Sequence, residues 1–152
     1  MGQDHQRPEL LAPAGSPEAF IAAVENGADA VYLGGKMFNA RHFAKNFEAE
    51  EIRRLTRYAH LHGVRVYITL NILLFDRELP QALDYAYSLA LDGVDGVIVQ
   101  DPGFLAVLGR LFTDRPQVHA STQMTLMNSW GVAFAQRLGA SRVVLAREVS
   151  LA

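Results

Sequence analysis

Short apolar runs alternate with amphipathic stretches along the whole chain. Six short runs, five of which contain β-branched residues, predict strands at residues 9–12, 30–33, 64–70, 96–99, 117–120 and 142–145. Several of these runs are apolar at nearly every position, which is typical of strands covered on both faces of a parallel sheet. Between them, apolar side chains recur every three or four positions, which is the pattern of amphipathic helices. The chain is therefore predicted to alternate strand and helix.

Capping signals mark where several helices begin. Ser16 and Asp101 each precede a proline, an order typical of a helix N-cap followed by proline at the first helical position. Asn128 is a candidate cap for a fifth helix.

A repeated pattern marks where the helices end. Residues 27–31, 93–97 and 139–143 share a glycine, a small or aliphatic residue, a polar residue and then a valine at the fifth position, and Gly63 begins a shorter version. Glycine commonly ends a helix in the left-handed conformation. Repeated βα units of this kind imply parallel strands with right-handed crossovers.

The number of βα units decides between fold classes. No Gly-x-Gly-x-x-Gly follows the first strand, so the dinucleotide-binding interpretation is weak. We predict an α/β fold, an incomplete (β/α)8 TIM-like barrel of about six βα units with parallel strands, because a complete barrel needs about 250 residues. An open six-stranded α/β sheet is the alternative. Residues 1–8 are predicted to be an N-terminal tail, and residues 9–152 the N-terminal portion of a barrel belonging to a longer chain.

Composition narrows the class of protein. The 152 residues carry 14 basic and 16 acidic side chains, a net charge of −2, which argues against nucleic-acid binding by bulk positive charge. Neither a membrane-spanning run nor a signal peptide is evident, so a cytoplasmic protein without membrane partners is expected. The chain has no cysteine, which excludes disulfides, cysteine-ligated metal and a cysteine nucleophile within these residues.

Polar residues follow the predicted strands. In a barrel the carboxyl ends of the strands form the site, so these residues are candidate substrate-binding groups; the alternative is that strand ends are polar because loops meet water. The candidates of this kind are Asn71, Gln100, Asp101, His119, Ser121, Gln123, Arg147 and Glu148. No catalytic residue and no metal site is assigned.

The segment of residues 34–47 is the richest in candidate chemistry. It contains Lys36, Arg41 and Lys45 with no acidic residue, and it also contributes Asn46 as a candidate. At the site face it would form a cationic rim for phosphates or carboxylates, in which Arg41 offers a bidentate fork. A solvated loop anchored by its phenylalanines is the alternative.

Two further assignments stay open. His119 and Ser121 lie two residues apart on one strand and face the same side, so they could form a nucleophilic pair or simply line the barrel mouth; no Gly-x-Ser-x-Gly elbow is present. Asp101 is either a site acid or a helix cap.

Several stretches together resemble the collagenase-like peptidase family, family thirty-two of the unclassified peptidases. They are residues 9–19, 23–34, 38–47, 66–71, 93–103, 119–124 and 142–148. The resemblance implies a TIM-barrel-like N-terminal domain. The family is named for protease activity, but its better-understood members resemble oxygen-independent hydroxylation factors. Those factors act on a tRNA uridine, a ribosomal RNA cytidine or a ubiquinone precursor. The resemblance also implies an iron–sulfur cluster held by four cysteines in the full-length protein.

From this resemblance we predict the N-terminal barrel portion of a protein that hydroxylates RNA, either tRNA or rRNA. The alternatives are a peptidase, as the family name states, and a non-catalytic module that binds RNA or another anion. The isolated portion is predicted to be inactive and to self-associate through open sheet edges.

Overall fold

A computed structural model describes residues 7–40 and 46–150 of the protein. Along the chain, strands and helices alternate. The strands are β1 Leu11–Pro13, β2 Ala30–Gly34, β3 Arg65–Leu70, β4 Gly96–Val99, β5 Gln117–Ala120 and β6 Arg142–Val143. The helices are α1 Pro17–Glu25, α2 Ala49–Leu61, α3 Leu79–Leu91, α4 Pro102–Leu111 and α5 Ser129–Arg137. A short 3₁₀ helix, Thr122–Met124, follows β5 and was not predicted.

The strands form one parallel sheet in chain order, β1-β2-β3-β4-β5-β6. This arrangement confirms the predicted βα units. Its outer face carries Val31, Leu33, Val66 and Ile68, which pack with the helices into the main core. Its inner face carries Tyr32, Tyr67 and Ile98, a separate apolar cluster.

The sheet is curled, and this distinguishes it from the open sheet that was the alternative. Glu9 lies just before β1 and Arg142 lies on β6, at opposite edges of the sheet in strand order. Nevertheless Arg142 Nη1 donates to Glu9 Oε1 at 2.5 Å across the inner face. The described strands therefore form an incomplete barrel, as predicted.

Local signals explain most boundaries. Ser16 Oγ accepts from Ala19 N at 3.2 Å and Asn128 Oδ1 accepts from Gly131 N at 2.9 Å, so both act as the predicted caps. All four glycines of the repeated pattern have positive φ, between 72° and 108°, as expected for left-handed helix ends.

The first strand starts later than predicted. Leu10 N donates to the Asp29 carboxylate at 2.7 Å and so makes a side-chain contact before the β1–β2 ladder begins at Leu11. Of the predicted tail, residues 1–6 lie outside the described part, and Arg7 pairs with Asp29 at 2.7 Å. Among the described helices, none is long and apolar enough to cross a membrane.

Candidate functional site

A pocket of about 450 Å³ opens at the carboxyl ends of the strands. Because the strands are parallel, their following loops meet at this one end, which is why residues distant in sequence share a wall. The polar groups that line the pocket are Asn39, Asn46, Thr69, Asn71, Ser121, Thr122, Gln123 and Arg147. Apolar wall is contributed by Leu11, Pro13, Tyr32, Ile98 and Val144, among others.

Below the pocket, large side chains fill the inner space of the sheet. Tyr67 and His119 are 0% and 1% exposed, and their rings meet edge to face with centroids 4.7 Å apart. Gly96 makes this contact possible, because a Cβ there would lie 3.1 Å from the Tyr67 ring and 3.4 Å from His119. A ligand would therefore enter from the carboxyl end.

An ionic cluster lies at the amino end of the inner face. Glu9 pairs with both Arg65 and Arg142, and the Arg142 guanidinium carbon lies 5.4 Å from the Tyr67 ring centroid. Burial raises the Glu9 pKa, but the hydrogen bond and charge of Arg142 and the charge of Arg65 outweigh it, so the pKa is lowered overall. The cluster joins β3 and β6 through one carboxylate.

His119 is held neutral between this cluster and the pocket. Burial, reinforced by the nearby Arg142 charge, lowers the His119 pKa to about 4. Its Nε2 lies 3.1 Å from Gln117 Oε1, whereas Ser121 Oγ lies 3.4 Å from Gln123 Oε1. The two residues therefore have different partners and do not form a Ser–His pair in the structure; Ser121 lines the pocket, whereas His119 lies below it.

Asn39 anchors one wall of the pocket. It is 6% exposed, its Nδ2 donates to Asn46 Oδ1 at 2.9 Å, and its Oδ1 accepts from Thr69 Oγ1 at 3.3 Å. Gly34 provides the space, since a Cβ there would lie 1.9 Å from Asn39 Nδ2. This contact fixes the loop after β2 against the end of β3.

Asn71 and Gln123 form the facing wall. Asn71 Oδ1 accepts from Ala40 N at 3.2 Å, and its Nδ2 donates to Gln123 Oε1 at 2.5 Å. Gln123 N also donates to Ser121 Oγ at 3.2 Å. Because the amide orientation of Asn71 is set by a backbone N–H, the oxygen of Gln123 is directed toward Asn71. Its amide nitrogen is then directed away from this contact, as a donor.

The structure brings five predicted site residues together at the pocket. They are Asn46, Asn71, Ser121, Gln123 and Arg147. Their role in binding a substrate stays a prediction, because their position alone does not test it.

The other candidates lie elsewhere. Lys36 forms an ion pair with Glu48, and His119 is buried below the pocket. Gln100 and Glu148 are not among the lining residues of the described pocket. Arg41 and Lys45 lie outside the described residues, so the predicted cationic rim and the bidentate role of Arg41 stay predictions.

Asp101 makes the helix-cap bond that was one of its two predicted roles, and its role as a site acid stays a prediction. Its Oδ1 accepts from Phe104 N at 2.8 Å, which is the N-cap bond of α4, and its Oδ2 accepts from Leu74 N at 3.3 Å. Both carboxylate oxygens are therefore engaged by backbone groups of two loops.

Sequence reasoning missed Asn39 and Tyr32 as pocket residues. Tyr32 could have been found from the period of two along β2, because it shares a face with Gly34. Asn39 gave no local signal, since its burial depends on contacts with Thr69, a residue 30 positions away.

The described residues offer no ligand set for a metal. No group of three or more His, Cys, Asp or Glu side chains within residues 7–40 and 46–150 could hold a metal ion. The chain also has no cysteine, so its residues do not fit the iron–sulfur cluster that the resemblance implies. The pocket is equipped instead with amides, hydroxyls and one guanidinium, which bind by hydrogen bonding.

A curled parallel sheet with a polar pocket at its carboxyl ends defines a domain of the TIM-barrel type. The model of Peptidase family U32 matches residues 15–152, and the chain therefore belongs to that family. Among solved structures, the U32 peptidase Mk0906 superposes with a TM-score of 0.71 at 17% identity, covering 95% of this chain and 62% of that one. This likeness supports the fold.

Curated relatives carry two kinds of name. The tRNA hydroxylation protein P1 of Bacillus subtilis is 41% identical over 95% of this chain and 34% of its own length. The 23S rRNA 5-hydroxycytidine C2501 synthase of Escherichia coli is 40% identical over 95% of this chain and 21% of its own length. A protein of Porphyromonas gingivalis named collagenase is 30% identical, over 94% of this chain and 34% of its own length. The chain thus spans a third or less of these relatives.

Proposed function

We propose that this domain is the substrate-binding portion of an RNA hydroxylation protein and that its pocket holds one pyrimidine nucleotide of tRNA or rRNA. The observation that carries this proposal is the pocket lining, in which Asn46, Asn71, Gln123 and Ser121 gather with Arg147 at one end of the sheet. The relatives named for tRNA hydroxylation and for 5-hydroxycytidine synthesis support the choice of RNA. Such substrates would place the protein in the cytoplasm.

The pocket suits a nucleotide chemically. Enzymes that modify a base draw it out of its stack and read its edge through hydrogen bonds and ring contacts. Carboxamides supply both donors and acceptors for that purpose, and Tyr32 adds an aromatic wall. Among the described lining residues, Arg147 supplies a guanidinium for a phosphate, because arginine binds phosphate through two parallel hydrogen bonds. The volume of about 450 Å³ falls within the usual range for small-molecule sites.

Peptidase activity is the second candidate, and it has the collagenase-named relative in its favour. Hydrolysis of a peptide needs an activated nucleophile or a metal-bound water. Among the described residues, Ser121 has no histidine partner and no metal-ligand cluster occurs. The pocket therefore favours binding of a nucleotide. The iron–sulfur cluster that the resemblance implies would be held by cysteines that do not belong to these 152 residues.

A chimera tests the proposal. This chain would replace the corresponding residues of Bacillus subtilis tRNA hydroxylation protein P1, and tRNA nucleosides from a strain lacking that protein would be measured by mass spectrometry. A second chimera in the Escherichia coli rRNA enzyme would report on rRNA. Restored hydroxylation in either RNA is expected, and the RNA that is restored identifies the substrate class.

Matched variants connect the result to the pocket. Asn71→Ala and Arg147→Ala should each reduce the hydroxylated nucleoside, whereas Arg110→Ala, which removes an exposed arginine at the end of α4, should not. Two folded chimeras that restore neither RNA, together with casein cleavage by this chain that is lost on Ser121→Ala, would support the peptidase instead.

A further inference from the structure

The loop between β3 and α3, residues 71–78, begins at the pocket residue Asn71 and presents apolar side chains to solvent. Phe75 and Leu73 are 67% and 65% exposed, although Leu74 between them packs against the main core. The loop begins at Asn71, which lines the pocket, so Phe75 lies four residues from the pocket wall. Exposed aromatic side chains near a binding site are typical of interaction surfaces.

The loop is held in place rather than loosely exposed. Phe75 N donates to Glu78 Oε2 at 2.8 Å, and Glu78 N donates back to Phe75 O at 2.8 Å. Leu74 N donates to the Asp101 carboxylate at 3.3 Å, which attaches the loop to the start of α4. These hydrogen bonds fix the backbone of the loop, and the Phe75 side chain extends from it into solvent. The packing of the described residues does not explain why this ring is exposed.

The ring already carries a cation on one face. The Arg77 guanidinium carbon lies 5.0 Å from the Phe75 ring centroid, within the range of a cation–π contact. Single-stranded RNA is bound by aromatic rings on which bases stack, with arginine contributing beside them. Asp76 and Glu78 offset the Arg77 charge within the loop, so the contact would depend on stacking more than on net charge.

We propose that Phe75, with Arg77, forms a stacking platform for a nucleotide that flanks the one held in the pocket. The inference rests on the proposed function and adds to it a contact outside the pocket. A partner made of single-stranded RNA fits because the platform combines an aromatic face with a guanidinium, in the loop that begins at the pocket residue Asn71.

Binding of two probes by the 152-residue chain tests the platform. The probes are uridine monophosphate and a seven-nucleotide single-stranded oligoribonucleotide of uridines. Phe75→Ala should weaken the binding of the oligonucleotide about fivefold or more, since one stacked base contributes at least that much to the affinity. The same variant should leave the affinity for the mononucleotide unchanged. Tyr87→Ala is the matched control, because Tyr87 is an aromatic residue of similar exposure, 61%, on α3.

A second variant reports the contact directly. The chain has one tryptophan, Trp130, so Phe75→Trp in a Trp130→Phe background gives a single reporter in the loop. Its fluorescence should be quenched by the oligonucleotide and not by the mononucleotide. The salt dependence of binding should be the same in Phe75→Ala as in the unaltered chain, because loss of a stacked base leaves the number of phosphate contacts unchanged.

The outcomes separate the two proposals. Oligonucleotide binding that depends on Asn71 but not on Phe75, with no quenching, would overturn the platform and leave the pocket assignment standing. Binding that depends on Phe75 but not on Asn71 would support the platform and overturn the pocket assignment. Absence of binding to either probe would overturn both. Loss of self-association in Phe75→Ala, without loss of RNA affinity, would assign this loop to a contact between copies of the chain.

Discussion

His119 connects the pocket to the ionic cluster beneath it. It contacts Tyr67 on one side and lies near the Arg142 charge on the other, and both surroundings disfavour a proton on the imidazole. At neutral pH the inner face of the sheet therefore contains a neutral histidine above the Glu9, Arg65 and Arg142 charges. A neutral, buried ring suits a structural floor, and it would not serve as a proton donor at that pH.

The His119 pKa predicts how stability depends on pH. In the unfolded chain the pKa is near the ordinary value of 6.5, whereas burial lowers it to about 4 in the folded protein. The unfolded chain therefore binds more protons between these values, and the free energy of unfolding should fall as the pH drops from about 6.5 to about 4, by about 3 kcal/mol. Denaturant titrations at a series of pH values would measure this.

A variant isolates the histidine. His119→Gln should flatten the pH dependence above about pH 4, while His62→Gln, which removes an exposed histidine, should keep it. Because the Glu9 pKa is lowered, Glu9 should lose its charge and its ion pairs only below its ordinary pKa of 4.5. An unchanged slope in His119→Gln would mean that another group titrates in this window.

Two aspartates of the repeated glycine pattern have a shared structural role. Asp29 accepts from Leu10 N at 2.7 Å, and Asp95 accepts from Val66 N at 2.9 Å. Asp95 also binds His60 and Arg115 and is only 4% exposed. Each carboxylate, which directly precedes β2 or β4, thus attaches that strand to the amino end of its neighbour β1 or β3, and the two aspartates support the sheet rather than the pocket.

At the scale of elements, substitutions of Asp101, the N-cap of α4, can distinguish a structural from a chemical role for this residue. Asp101→Ala removes the bonds to Phe104 N and Leu74 N and should destabilise the protein by about 1 kcal/mol or more. Asp101→Asn keeps an acceptor for the cap and should retain most of the stability. Thermal unfolding of the two variants would measure the difference.

The same variants bear on the pocket. If Asp101 acts only as a cap, Asp101→Asn should bind uridine monophosphate as well as the unaltered chain does. A strong loss of binding in this variant, with stability intact, would return Asp101 to the site. Ser16→Ala provides the control for a cap at a different helix.

Elements with complete local signals were predictable, and the site was only partly so. β4 and β5 have their predicted bounds, because β4 follows the repeated glycine pattern as an apolar run and β5 begins directly after Pro116. The cap residues of α1, α4 and α5 were predictable for the same reason. The 3₁₀ helix after β5 gave no periodic pattern because it has three residues.

Pocket residues needed information that single segments do not contain. Asn71 and Ser121 follow strands directly, so parallel topology alone gathers them at one end. Asn39 lies in the middle of a loop, and its place depends on the space left by Gly34. Lys36 had the right charge for a rim, but the sequence gave no indication that Glu48 would pair with it.

At the scale of the whole molecule, the inner ion pairs span the curled sheet without closing its edges. Within the described residues, β1 pairs only with β2 and β6 pairs only with β5. Arg142 reaches Glu9 across the inner face, but the outward edges of β1 and β6 keep backbone groups without a neighbouring strand there. Val97, on β4 in the middle of the sheet, is fully buried.

Open edges of this kind predict that the 152-residue chain associates with itself. Unpaired strand edges are templates for pairing with another chain, and Val144 and Leu145, which follow β6, are 36% and 45% exposed. Sedimentation velocity at several concentrations should show larger species as the concentration rises. Val144→Lys should reduce them, because a charge on a strand edge opposes pairing, whereas Leu61→Lys, a change at an 85% exposed position of α2, should not. A monomer at every concentration, with sharp cooperative unfolding, would instead show that six curled strands held together by Glu9 and Arg142 are sufficient for a stable unit.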